Sequence, residues 1–262
     1  MAKKRSTATR RADSHAAAAR AAAIRREQER KERRRRSLVV SAVVVVVLVL
    51  IGAIAYGVQS SRDNATGSTS TGGSPSGTVG RFGIPVGSSS APVKAVIYED
   101  FICPYCGQFE AASRTMFQKD IDAGKLQIQY HVLNFLDRNS STKYSTRAAN
   151  ALAVVLDTSG SKSAKKFHDL LFANQPEEGS AGLSDSQLVD FAVQAGAKRS
   201  EVEDGIKNGE FDNWVAKVTD QASKDHVTGT PTVRIDGKDV PFTSAQSMAQ
   251  HIQQMVDAAS KK

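Results

Sequence analysis

The chain has 262 residues, 40% of them hydrophobic, and a formal net charge of +8 at pH 7, which allows one large or two small globular domains. The positive charge is local: residues 1–37 hold fourteen of the 35 Lys/Arg and four of the 27 Asp/Glu, leaving 21 basic against 23 acidic residues elsewhere. The body of the protein therefore lacks the basic surface that polyphosphate binding needs, and no nucleic-acid partner is expected.

Residues 1–37 are rich in Ala, Arg, Lys and Glu and poor in large apolar side chains; this composition predicts a disordered, cytoplasmic basic tail. Residues 38–58 carry no charge and only Ser41 and Tyr56 have polar side chains. As a helix this stretch spans roughly 30 Å, a hydrocarbon core, and predicts a single transmembrane helix. Four arginines at 33–36 keep the N-terminus cytoplasmic and place the chain beyond residue 58 outside the cell membrane. "AIA" at 53–55 suits signal-peptide cleavage, but the apolar stretch exceeds the ~7–15 residues of a signal core, so an uncleaved anchor is expected. Residues 59–78 are rich in Ser, Gly and Thr, the composition of a flexible linker.

Residues 79–262 read as one domain, large enough to bury a core. "VKAVIYEDF" (93–101) predicts a buried strand, the residues from Pro104 to Gly124 a helix, and "KLQIQYHVLNFL" (125–136) a second strand, a β–α–β unit with parallel strands. From about 145 to 225 the apolar residues recur at three and four and predict four helices. The last of these starts near Ser200 and carries Val202, Ile206, Phe211, Trp214 and Val218. Ser184 with Gln187 has the spacing of a capping box, and Gly196 marks a helix end. "GTPTVRIDGKDVPF" (229–242) predicts two short strands joined at Asp236-Gly237. A final helix aligns Met248, Ile252, Met255 and Val256.

The two cysteines of the chain, Cys103 and Cys106, stand where the first strand meets the first helix. Structural zinc needs four ligands, and His15, His131, His168, His226 and His251 show no ligand spacing, so no metal is expected. Haem attachment needs His after the second cysteine, where Gly107 stands. A purely structural disulfide across two residues constrains the unfolded chain very little. Redox exchange remains, with the disulfide itself as the active group and no further cofactor. Unpaired amides at the helix start favour an anion on Cys103 and lower its pKa; Pro104 suits the first turn. Cys106, one turn in and more covered, is the expected resolving thiol of the pair; a client thiolate attacks the exposed Cys103 sulfur, and the client's second thiol resolves the mixed disulfide.

"DFICPYC", a long helical block and then "TGTPTVRIDGK" resemble the DsbA-like thiol–disulfide oxidoreductases, and more narrowly their membrane-anchored actinobacterial forms. The resemblance implies a thioredoxin-like α/β fold with an inserted α-helical domain at about 145–225. It also implies a cis Thr230–Pro231 bond against the active-site disulfide, with the Thr230 backbone free to bond a client strand. The site residues it marks are Cys103, Pro104, Tyr105, Cys106, Thr230 and Pro231. Partners implied are exported proteins with free thiols and a quinone-linked membrane oxidoreductase that recycles the disulfide. Tyr105 departs from the His of the best-known oxidases, and Thr230 from their Val. For the buried acid of related folds, Glu99 and Asp100 are the candidates, with a solvated carboxylate as the alternative.

The resulting expectation is a dithiol oxidase. A disulfide isomerase or reductase is the alternative within the same chemistry, and a non-catalytic peptide-binding module the alternative outside it. Trp214, His131, Phe82 and Phe101 are read as packing residues.

Overall fold

The structure, a computed structural model, describes residues 73–260. The expected basic tail, transmembrane helix and most of the linker lie outside the described residues. Within them, no helix is long and apolar enough to cross a membrane.

A five-stranded mixed sheet runs in the order β1-β3-β2-β4-β5. Its centre is β2 (Val93–Glu99) beside β3 (Leu126–Val132), paired in parallel from Val93–Leu126 to Glu99–Val132. The crossover between them is α1 (Pro104–Asp122), as the β–α–β pattern predicts. Ala95, Ile97, Leu126 and Ile128 are buried, consistent with central strands rich in β-branched and apolar residues. The second strand ends at Val132 rather than Leu136, because the chain turns into a short 3₁₀ segment, Asp137–Asn139.

An outer strand that the sequence pattern did not reveal, β1 (Ile84–Val86), pairs antiparallel with β3, with Pro85 opposite Gln129. Its three residues are too few to show an alternation. On the other side β4 (Thr232–Ile235) pairs antiparallel with β2, and β5 (Lys238–Asp239) folds back on β4. Asp236 and Gly237 both take positive φ, 51° and 74°, as expected for the tight hairpin.

The helices between β3 and β4 begin with α2 (Tyr144–Ala173), broken at Gly160, whose φ of 75° and ψ of 175° no helix tolerates. Next come α3 (Asp185–Ala195), α4 (Arg199–Asn208) and α5 (Asp212–Lys224). The capping box at Ser184 and Gln187 is formed, and Gly196 closes α3 in the left-handed region. The single helix predicted from Ser200 is instead two, because Gly209 turns left-handed at φ 66° and ends α4. Asn150 of α2 holds this turn: its Nδ2 donates to the carbonyls of Gly205 and Ile206 at 3.2 and 3.3 Å, and its Oδ1 accepts the Phe211 amide at 2.8 Å.

The last helix, α6 (Ala245–Ala259), buries Met248, Ile252 and Val256 and packs along α1. Trp214 is buried and its indole N–H donates to the Arg81 carbonyl at 2.9 Å; Phe101 is buried and Phe82 packs on the core. His131 stacks edge-on against Tyr98 at 4.9 Å, and burial pushes its pKa down to about 4. All four are packing residues.

Candidate active site

The end of β2 carries Phe101 and Ile102 into the core, and their burial fixes the loop that delivers Cys103. Cys103 is the N-cap of α1, with extended φ/ψ of −72° and 117°, and Pro104 occupies the first turn. The Cys103 carbonyl accepts the amides of Cys106 and Gly107 at 3.1 and 3.2 Å, starting the helix. No side chain caps that end, so its free amides face the Cys103 sulfur.

The Cys103 thiol donates to the carbonyl oxygen of Thr230 at 3.3 Å, and the Thr230–Pro231 bond beside it is cis. The structure thus brings Cys103, Pro104, Tyr105, Cys106, Thr230 and Pro231 together from two distant stretches of chain. Cys103 is less exposed than the sequence implies, at 4%, because the segment before Pro231 covers it. Its sulfur is reached through a cleft of about 640 Å³ between Pro104, Tyr105, Phe135, Leu136, Val227 and Thr230.

The two thiols are electrostatically unequal. The Cys103 pKa is lowered to about 6, first by a hydrogen bond from the Cys106 thiol, then by the Thr230 side chain and the amides of Cys106 and Tyr105, against the opposing effect of burial. Helix-start amides therefore contribute, as the sequence suggests, but the partner thiol contributes more. Cys106, 1% exposed, is pushed well up by burial and then by the charge on Cys103. Cys103 is the thiolate at neutral pH, and Cys106 keeps its proton.

Beside the cleft stands an exposed aromatic pair. Tyr105 is 57% and Phe242 41% exposed, with ring centroids 6.1 Å apart in an edge-to-face arrangement. Apolar surface of this kind next to a reactive sulfur suits contact with extended or unfolded peptide.

Beneath the thiols lies a layer of buried charge. Glu99 and Asp100 are both buried, at 1% and 0% exposure, so the expectation of a solvated carboxylate is corrected. They differ in their commitments. Asp100 accepts hydrogen bonds from the Ile102 amide, the Leu136 amide and the Ser145 hydroxyl at 3.1, 3.0 and 2.6 Å. Burial still raises its pKa to about 6. It is a structural hub. Glu99 meets His168 Nε2 through Oε1 at 2.7 Å, while its Oε2 is buried without a hydrogen-bond partner. Burial raises the Glu99 pKa, and His168 only partly offsets this. Burial pulls the His168 pKa down, but Glu99 and then Glu110 outweigh it and leave it raised.

His168, Glu110 and Gln175 belong to this site and stand in no motif of the sequence. Glu110 lies four residues after Cys106 on α1, hence on the same helix face; a buried acid at that spacing is a readable signal. His168 sits between Phe167 and Leu171 on the buried side of α2, where the apolar periodicity makes it look like one more packing position. One ligand atom each from Glu99, Glu110 and His168 lie within 4.8 Å of one another.

Gln175, just past α2, donates through Nε2 to the carbonyls of Phe101 and Cys103 at 3.1 and 2.9 Å. It ties the end of α2 to the cysteine loop. Its amide lies so close to Gly107 that a Cβ there would collide with it.

Comparison with known proteins places this arrangement. The family model described as Thioredoxin matches residues 82–258. The solved structure of DsbA from Mycobacterium tuberculosis is 29% identical, with a TM-score of 0.57, and the match covers 68% of this chain and 98% of that one. The serine/threonine-protein kinase PknE of M. tuberculosis is 32% identical over 158 residues, 58% of this chain. Disulfide bond formation protein D of Bacillus subtilis is 27% identical over 159 residues, 60% of this chain. The match spans 28% of the length of the kinase and 69% of the Bacillus protein.

Proposed function

The chain belongs to the thioredoxin family, and from that premise we propose that it is a thiol–disulfide oxidoreductase of the DsbA type, acting as a dithiol oxidase. The observation that carries this reading is the inequality of the two thiols: Cys103 ionises near pH 6 while Cys106 is held well above its ordinary value. A stabilised Cys103 thiolate is a good leaving group and favours the reduced form, so the Cys103–Cys106 disulfide tends to oxidise others. The two cysteines are free thiols in this structure.

The substrates are exported proteins with free thiols. Their segments would lie along the cleft beside Tyr105 and Phe242, with the backbone of Thr230 as a hydrogen-bonding edge. The client's first thiolate attacks Cys103 Sγ and Cys106 leaves; the client's second thiolate then displaces Cys103. A quinone-linked membrane oxidoreductase would reoxidise the pair, and no other cofactor is needed. The single-pass anchor at 38–58, with the N-terminus cytoplasmic, would hold the domain outside the cell membrane.

The reduction potential tests this. A value near about −120 mV marks an oxidant, one near about −270 mV a reductase. A reductant-like potential, or no oxidation of a reduced unfolded substrate by the disulfide form, overturns the oxidase reading.

A further inference from the structure

Three polar side chains with no part in the thiol exchange converge in the core. Glu99 ends β2 four residues before Cys103, and Glu110 stands on α1 four residues after Cys106. His168 lies on α2, the first of the inserted helices. Each is 1% exposed, and one ligand atom from each lies within 4.8 Å of the other two. Two of their oxygens, Glu99 Oε2 and Glu110 Oε1, are buried with no hydrogen-bond partner. Such atoms are rare in folded proteins, because a carboxylate that leaves water without a replacement is costly.

Both oxygens call for positive charge. A proton on His168 Nε2 answers Glu99 Oε1, 2.7 Å away, but does nothing for Glu99 Oε2 or Glu110 Oε1. The Lys165 ammonium is committed to Asp169 at 2.6 Å. A cation shared among the three side chains serves both carboxylates at once. The imidazole is set for one: its Nδ1 faces Asp169 Oδ1 at 3.4 Å, the carboxylate–histidine arrangement that orients the other ring nitrogen of a metal-binding histidine. The rings of Phe101, Tyr130 and Phe172 lie 5.7, 4.2 and 5.0 Å from it. They make an apolar shell in which opposite charges attract strongly.

We propose that Glu99, Glu110 and His168 form a structural site for one divalent cation of the zinc type. One nitrogen and two oxygens suit zinc and its first-row neighbours, whereas calcium and magnesium take oxygen ligands. Ligand atoms around a tetrahedral zinc stand roughly 3.3 Å apart, given bonds of about 2.0–2.2 Å, so side-chain adjustment is enough to close the cluster on the ion. The fourth position falls to a water or to a second carboxylate oxygen. None of the three residues lines the cleft at Cys103, and the ion takes no part in thiol exchange. Its work is to clamp β2 and α1, which hold the cysteine loop between them, to the inserted helix α2. The ligands come from three elements, with 69 residues between Glu99 and His168, so no spacing in the sequence marks them.

The test uses the full-length, tag-free chain in its disulfide form, in which neither cysteine offers a thiolate to a metal. The protein is stripped with a chelator and titrated with zinc chloride by calorimetry. One equivalent is expected to bind and to raise the Tm. Glu110→Gln, which keeps the shape of the side chain, and His168→Gln are each expected to lose roughly 100-fold or more in zinc affinity, together with the rise in Tm. Asp169→Asn, at a partly exposed position, is expected to cost roughly 10- to 100-fold in affinity; it serves if the two ligand variants do not fold. Wild-type protein that binds no zinc overturns the proposal and leaves the cluster to shared protons. One equivalent held at wild-type affinity by Glu110→Gln, His168→Gln or Asp169→Asn overturns it as well. The site stands apart from the oxidoreductase reading, which exchange with glutathione tests separately.

Discussion

The Cys103 sulfur and the Thr230 carbonyl oxygen, 127 residues apart in the chain, meet at 3.3 Å. This contact belongs to the neutral thiol, which donates the proton. Once Cys103 ionises, the same sulfur accepts instead, from Cys106, the Thr230 side chain and the helix-start amides. Titration of thiolate absorbance in the reduced protein should therefore show one midpoint near 6. Because the folded pKa lies below the ordinary 9.0, ionisation of Cys103 stabilises the folded reduced protein fully above pH 9 and ever less as pH falls to 6. Denaturation of reduced wild type against Cys103→Ser over that window should show the gap closing on acidification.

Removing the partner thiol tests the largest contribution. In Cys106→Ala the Cys103 midpoint should rise, since the hydrogen bond from Cys106 is gone and only the amides and Thr230 remain. The same variant should accumulate a mixed disulfide with a reduced, unfolded substrate, visible on non-reducing gels. A midpoint that stays near 6 would show that the helix start and Thr230 hold the anion without the partner thiol.

Tyr105 and Phe242 should matter for clients and not for chemistry. Replacing either by Ala is expected to raise KM for an unfolded protein substrate by roughly five- to tenfold, an exposed aromatic contact contributing about 1 kcal/mol. Exchange with glutathione, too small to reach both rings, should proceed at the wild-type rate. Equal losses with both substrates would assign the pair to the architecture of the cysteine loop.

Gly107 and Gln175 should be coupled. Gly→Ala inside a helix ordinarily stabilises by about 1 kcal/mol. Here the new methyl displaces the Gln175 amide, which forfeits two hydrogen bonds of roughly 1 kcal/mol each. Gly107→Ala alone should be neutral to destabilising. In a Gln175→Ala background it should be stabilising, a reversal readable from urea denaturation of the four proteins.

Asn150 should be the costliest polar residue among the inserted helices. Asn150→Ala removes three hydrogen bonds and leaves the Phe211 amide without its acceptor, while the Gly205 carbonyl keeps the Glu210 amide, a loss of about 2–4 kcal/mol. Thermal unfolding should report it, with the Cys103 titration unmoved.

The sequence makes the centre of this molecule readable because its signals are local. A β-branched strand, a Cys-Pro-Tyr-Cys helix start and an Asp-Gly hairpin each state their own conformation within a few residues. The two cysteines and Thr230–Pro231 can be joined only through the family resemblance, since nothing in either stretch specifies the other. The features hidden from the sequence depend on tertiary partners. Glu99 and Asp100 look alike in the chain, and only their separate hydrogen-bond partners make one a hub and leave the other with a free oxygen. His168 shows no ligand spacing, and its partner Glu99 lies 69 residues away. The split at Gly209 is masked because the apolar positions on either side keep a helical rhythm across the break.

The margins of the sheet bear on the company such a protein keeps. One outer strand has three residues with Pro85 at its middle, and the other has two. A proline offers no amide to a newcomer, and so short a ladder gives an incoming chain almost nothing to zip onto. Under the proposed role, in which the clients are unfinished polypeptides with sticky strands of their own, such margins guard the molecule against being recruited into aggregates by edge-to-edge pairing.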